Sequence, residues 1–234
     1  MYIITTAIGY FFGVQFLFLV LFLIMLQNVF GSQKLFDPVL KFICRAILLL
    51  FGIRVSVKGK RTRPEKAVIY IANHVNLFDL FILYGYLPGF VRGVELDVHF
   101  SWPVWGPITT RLGTIPISHT DTSKAILSLN IAADTIGQGV SIVILPEGRR
   151  TRDGNLQVFN KGPFRIAKHT GADIIPVAMK GAFQRKTVHS LKVFPGRVDL
   201  CFGRPIKAGV SAELSERELK DIARTRIEEL LEEP

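Results

Sequence analysis

The sequence predicts an α/β domain, a mixed sheet flanked by helices, carried behind an N-terminal membrane-inserted helix or helical hairpin. Three observations lead there. No Asp, Glu, Lys or Arg occurs before Lys34, so the first 33 residues have no charged face to turn toward water. From about residue 55 onward, short runs rich in β-branched residues alternate with stretches of helical period, the pattern of strands joined by helices. With residues 1–55 set aside, the remaining 179 suffice for one domain with a sizeable core and are too few for two. The expected division is an anchor over 1–55 and a globular domain over 56–234.

Each element follows in order. Residues 10–30 are uncharged and mostly apolar, and at roughly 1.5 Å per residue they can cross a hydrocarbon core of about 30 Å. They lack the basic start and small-residue cleavage site of a signal peptide. Residues 35–53 form a second apolar stretch interrupted by Asp37, Lys41 and Arg45, whose spacing puts them on one helix face. That pattern predicts an interfacial helix or the return limb of a hairpin. Basic residues follow the apolar segment and none precedes it, which predicts a cytoplasmic position for the rest of the chain. Strands are expected over 67–72 (AVIYIA), 141–145 (SIVIL), 173–178 (DIIPVA) and 198–202 (VDLCF), with helices over 77–87, 123–136 and 162–170. A charged helix, about 213–232, closes the chain, its start marked by the capping-box pair Ser215 and Glu218.

Charge is unevenly placed. Residues 56–210 carry 21 basic and 10 acidic side chains out of a net charge of +10 for the whole chain. A domain this basic suits an anionic partner, and the apolar segment favours a lipid bilayer or a phosphorylated small substrate over nucleic acid. The two cysteines, Cys44 and Cys201, lie in apolar runs and suggest neither a disulfide framework nor a metal site.

Two stretches could carry chemistry. After AVIYIA comes Asn73-His74-Val75-Asn76-Leu77-Phe78-Asp79. A histidine at a strand end, with a carboxylate five residues on across a turn, can have Nδ1–H held by that carboxylate while Nε2 faces a cleft, which makes a general base. The alternative is a structural histidine capping the helix. After SIVIL comes Pro146-Glu147-Gly148-Arg149-Arg150-Thr151-Arg152-Asp153-Gly154, a basic loop between glycines. Its arginines suit phosphate oxygens, and it sits where ligands bind in open α/β sheets, or it is a solvated surface loop. Neither a Gly-x-Ser-x-Gly nucleophile elbow nor a His-Glu-x-x-His metal motif occurs, so no metal and no cofactor is expected.

Taken together, residues 55–210 resemble the glycerolipid acyltransferases, the lysophosphatidic acid acyltransferases in particular. Asn73-His74 to Asp79 resembles the family's His-x4-Asp motif, and Pro146-Glu147-Gly148 with Arg150 resembles its Pro-Glu-Gly-Thr-Arg motif. Ile175-Pro176-Val177-Ala178 and Phe202-Gly203-Arg204-Pro205-Ile206 resemble its later motif and domain end. The resemblance implies a membrane-bound lysolipid O-acyltransferase. Acyl-CoA or acyl-carrier protein would be the co-substrate donor, and 1-acylglycerol-3-phosphate the acceptor, giving phosphatidic acid. It implies catalytic roles for His74 and Asp79, and acceptor binding by Asn73, Glu147, Gly148, Arg149, Arg150 and Lys161.

Two departures mark this chain. Arg149 stands where the family has threonine. Gly113-Thr114-Ile115-Pro116-Ile117-Ser118-His119 resembles the second motif but ends in Ser-His where an Asp-Arg or similar pair is usual, so a phosphomonoester would be gripped less firmly by the partly cationic His119, with Arg111 as its substitute. A different acceptor, a lysophosphodiester or a lyso-aminolipid such as lyso-ornithine lipid, is the alternative reading. A lipid esterase and a non-catalytic module for anionic membranes are the rivals outside the class. Trp102 and Trp105 are expected at the membrane interface near the acyl groove or in the core.

Overall fold

The computed structural model describes residues 2–30, 33–60, 64–118 and 122–233. Two helices come first, the apolar α1 (Tyr2–Phe30) and the amphipathic α2 (Gln33–Leu50). Within α1, Tyr2–Leu23 is the one stretch among the described residues long and apolar enough to cross a membrane. Tyr10, Phe16, Val20 and Leu23 pack it against the rest of the chain. Ile4, Phe11 and Phe18, by contrast, are 63 to 64% exposed.

The charged face of α2 is turned inward, contrary to the interfacial expectation. Asp37 pairs with Lys41 at 3.2 Å and accepts the Tyr84 hydroxyl at 3.2 Å. Lys41 Nζ donates to the carbonyls of Leu87 and Gly89, and Arg45 Nε to that of Gly85 at 2.7 Å. Those carbonyls lie at and beyond the end of α3 (Asp79–Tyr86), where a helix leaves its last acceptors unpaired. The cations satisfy them. What α2 turns outward is apolar instead: Leu35, Val39, Phe42 and Leu49 are all exposed, Phe42 by 69%.

The sheet begins before residue 56. β1 (Ile53–Lys58) pairs in parallel with β7 (Gly196–Phe202), Ile53 opposite Gly196 and Val55 opposite Val198. Ile43, Ile47, Leu48 and Phe51 are buried in the same core as the sheet, so α2 is built into the domain rather than set apart from it. The remaining strands are β2 (Ile69–Ala72), β3 (Val91–Leu96), β4 (Ile115–Ile117), β5 (Ser141–Ile144) and β6 (Ile174–Lys180). Among the described residues they make one mixed sheet of seven strands in the order β1-β7-β6-β2-β5-β3-β4. Each pairing is parallel except β6 with β7.

Alternation along β2 builds two cores. Val68, Tyr70 and Ala72 face the core shared with α2 and α3, while Ile69 and Ile71 face the opposite one. The second core is closed by α5 (Thr122–Gly137), α6 (Gly162–Thr170) and α8 (Glu216–Glu232), through Ala132, Phe164, Ile166, Leu219 and Ile227. α4 (Trp105–Arg111) and α7 (Ala208–Glu213) complete the helices. The expected capping box opens α8: Ser215 Oγ accepts the Glu218 N–H at 3.2 Å, and Glu218 accepts the Ser215 N–H at 2.8 Å. Because β2, β5, β3 and β4 run parallel, their carboxyl ends, followed by Asn73, Leu145, Asp97 and Ser118, gather on one edge of the sheet. Ligands of open parallel sheets bind at that edge.

Candidate active site

Adjacent strands bring the two motifs together. In the β2–β5 ladder Ile71 stands opposite Ile144, so His74 and Glu147, each three residues further on, leave the sheet side by side. A turn at Gly148, in the left-handed region at φ 66° where glycine is favoured, folds the loop back over β5.

Asp79 begins α3 and is 1% exposed. Its Oδ2 accepts His74 Nδ1–H at 2.7 Å and the Val75 N–H at 2.6 Å, and both oxygens lie 3.0 to 3.1 Å from the Asn76 N–H. With Asp79 as the acceptor at Nδ1, the neutral imidazole carries its proton there and Nε2 is left without one. The side chain of His74 is 23% exposed. It lines a cavity of about 960 Å³ together with Asp79, Gly148, Arg150 and Lys161.

The backbone of His74 is pinned from several sides. Glu147 Oε1 accepts its N–H at 2.6 Å, and its carbonyl accepts the Thr151 N–H at 2.9 Å. Asn73 Oδ1 accepts the Met179 N–H of β6 at 2.8 Å. Asn76 Nδ2 donates to the carbonyls of Ala182 and Lys186, both at 2.9 Å, tying the turn to the loop after β6.

These contacts revise several sequence expectations. Glu147 is 5% exposed and does not line the cavity; its second oxygen accepts the Gln157 N–H at 2.7 Å. Both oxygens are thus spent on backbone, and it positions the histidine instead of touching an acceptor. Burial pushes its carboxyl above the ordinary 4.5. Asn73 is buried, with its amide oxygen taken up by β6, and it too serves position. Arg149 and Arg111 are exposed and lie outside the cavity lining. His119 lies outside the described residues. Gly148, Arg150 and Lys161 do line the cavity, and Arg165 of α6 joins them.

Sequence reasoning missed the partners that hold the motif: Asn76, Thr151 and Gln157. Of these only Asn76, inside the motif and able to cap a turn, carried a local signal. It also missed Glu95 and His99, which share the cavity. Trp102 and Trp105 line the same cavity, and Trp102 is half-exposed rather than core.

Residues 54–180 match the model of the Acyltransferase family, more than half of the chain. The chain belongs to that acyltransferase family. A 1-acyl-sn-glycerol-3-phosphate acyltransferase of coconut (Cocos nucifera) is 28% identical over 164 residues, 70% of this chain and 53% of that protein. The human 1-acyl-sn-glycerol-3-phosphate acyltransferase alpha is 30% identical over 179 residues, 73% of this chain and 62% of that protein. The chain spans about half the length of the curated relatives it matches. The crystal structure of the 1-acyl-sn-glycerophosphate acyltransferase PlsC from Thermotoga maritima superposes with a TM-score of 0.81 at 21% identity. That match covers 99% of this chain and 96% of the other, and it establishes the shared fold.

Proposed function

We propose that this chain is a membrane-bound lysolipid O-acyltransferase that moves an acyl group from acyl-CoA or acyl-carrier protein to the free hydroxyl of a 1-acyl lysophospholipid. The relatives' printed acceptor, 1-acylglycerol-3-phosphate, is the reference substrate. One observation carries the reading: a histidine held by a buried carboxylate opens into a cavity with a cationic side and an apolar side.

His74 Nε2 removes the proton of the acceptor hydroxyl as that oxygen attacks the carbonyl carbon of the thioester. The carbon–oxygen bond forms, the carbon–sulfur bond breaks, and the imidazolium returns its proton to the departing thiolate. Asp79, hydrogen-bonded to Nδ1, stabilises the imidazolium and fixes the ring orientation. Arg150, Lys161 and Arg165 suit the acceptor's phosphate, and Leu80, Leu83, Val94, Leu112, Ile126 and Leu129 suit an acyl chain. The outward apolar faces of α1 and α2 support bilayer insertion, and the bias of basic residues after α1 supports a cytoplasmic domain.

The test supplies the full-length chain in mixed micelles with labelled acyl thioester, with and without a panel of 1-acyl lysophospholipids. Acceptor-dependent diacyl product is expected, and His74→Ala should lower kcat by about 10²-fold or more, with Asp79→Asn nearly as harmful. Release of free fatty acid alone would make the protein an esterase. No product from any acceptor, or full turnover by His74→Ala, would overturn the reading.

A further inference from the structure

The cavity holds a second carboxylate that the reaction above does not use. Glu95, near the end of β3, accepts His99 Nδ1–H at 2.7 Å and the Trp105 Nε1–H at 3.0 Å, both on Oε1. Its Oε2 receives no hydrogen bond among the described residues. The His99 ring lies 4.3 Å from that of Trp102, which is 50% exposed. All four side chains line the cavity that His74 lines. Between the two indoles Val104 sits at φ 68°, a strained conformation for a β-branched residue, and the chain holds it there while presenting Trp102 and Trp105 on either side.

A partly buried carboxylate with one free oxygen, lining the cavity beside two tryptophans, suits an alkylammonium: the carboxylate attracts the charge, and indoles in the same cavity wall suit the apolar carbons that carry it. A dianionic phosphate placed beside it would meet like charge. The cationic residues Arg150, Lys161 and Arg165 come from the neighbouring β5–α6 side. The cavity therefore offers a cationic wall and a carboxylate–aromatic wall in one space. In the sheet, β5 lies between β2 and β3, so the histidine's strand and the strand of Glu95 are roughly 10 Å apart at ordinary strand spacing. The path from the reacting hydroxyl through the glycerol and the phosphodiester to a terminal ammonium is of the same order.

Resting on the lysolipid acyltransferase reading, we propose that Glu95, Trp102 and Trp105 bind the ammonium of the acceptor. The acceptor class is then a 1-acyl lysophosphodiester whose headgroup ends in an ammonium. A primary ammonium can also donate a hydrogen bond to Glu95 Oε2, so the ethanolamine headgroup is favoured over choline.

The chain contains two tryptophans, and both are in this cluster, so intrinsic fluorescence reports on this wall without turnover. Full-length protein in detergent is titrated with lysophosphatidylethanolamine, lysophosphatidylcholine and lysophosphatidylglycerol of one acyl length, with no acyl donor present. The ethanolamine lipid should saturate the signal at a concentration about tenfold below that of the glycerol lipid, and Glu95→Gln should abolish the difference. In acyl transfer, Glu95→Gln should shift the ratio of kcat/KM for lysophosphatidylethanolamine over 1-acylglycerol-3-phosphate about tenfold toward the latter. Should Glu95→Gln fold poorly, Trp102→Leu, at a half-exposed position, should move the same ratio in the same direction. Equal saturation by all three lipids would overturn the proposal. So would an equal loss on every acceptor, which would reduce Glu95 to a structural partner of His99, or an effect confined to KM for the donor. Discrimination in fluorescence without any acyl transfer would leave the ammonium site standing and sink the transferase reading instead.

Discussion

A carboxylate can serve a reaction without meeting its substrate, and Glu147 shows what this costs. Its two oxygens hold the N–H groups of His74 and Gln157, and burial raises its carboxyl above the ordinary 4.5. The folded chain therefore binds this proton more readily than the unfolded one. In the window just above 4.5 the native state holds more protons, and stability falls as pH rises through the raised value. Ionised Glu147 is a standing cost borne for the position of His74. Glu147→Gln removes the charge, keeps one acceptor and turns an amide donor toward the other N–H. The melting temperature of wild type relative to Glu147→Gln should accordingly decline from pH 4.5 toward neutrality, while kcat of the variant falls at every pH. A difference in melting temperature that rose with pH would mean the carboxylate is stabilised rather than strained by its site.

Among the elements, α2 shows where sequence reasoning reaches its edge. Strands β2, β5 and β6 were legible because their buried, β-branched runs (IYIA, SIVI, IIPVA) look alike from either face. α6 was legible too: expected over 162–170, it runs from Gly162 to Thr170, with Pro163 in its first turn and Gly171 closing it. β3 was not, since VRGVEL mixes charge and glycine into a strand whose Glu95 faces a cavity, and β4 is three residues around a proline. In the site, the pair His74 and Asp79 was legible because five residues and one turn determine it. The hold of Glu147 on His74 was not, since it joins residues 73 apart through a ladder that only the fold supplies. For α2 the spacing of Asp37, Lys41 and Arg45 correctly implied one face, but a one-dimensional pattern does not say that the end of α3 needs cations more than water does. The outward face is consequently Leu35, Val39, Phe42 and Leu49. Phe42→Glu places a charge on that face and touches no core residue. It should leave the fold intact and raise the fraction released from vesicles by high salt; unchanged retention would show that α1 alone carries attachment.

At the scale of the whole molecule, the question is whether the apolar N-terminus is an accessory that can be cut away. Composition invites a cut at residue 55, and the packing argues against it. Ile43, Ile47, Leu48 and Phe51 are buried in the core on the α2–α3 face of the sheet, each contributing about 1.5–3 kcal/mol of apolar burial. Together they are comparable to the net stability of a typical domain, about 5–15 kcal/mol. The same cut removes half of β1, exposing the edge of β7 that Ile53, Arg54 and Val55 cover, and it takes away the lysine and arginine that satisfy the end of α3. Since α3 begins with Asp79, loosening it loosens the anchor of His74. Deletion of residues 1–55 should therefore abolish cooperative unfolding and acyl transfer together, even with a lysolipid presented in detergent, where no bilayer needs to be reached. Circular dichroism melting of the truncated chain beside the full-length protein decides the matter. A sharp, reversible transition in the truncated domain would show that the core on the other face, closed by α5, α6 and α8, suffices by itself, and that the N-terminal helices serve the membrane alone.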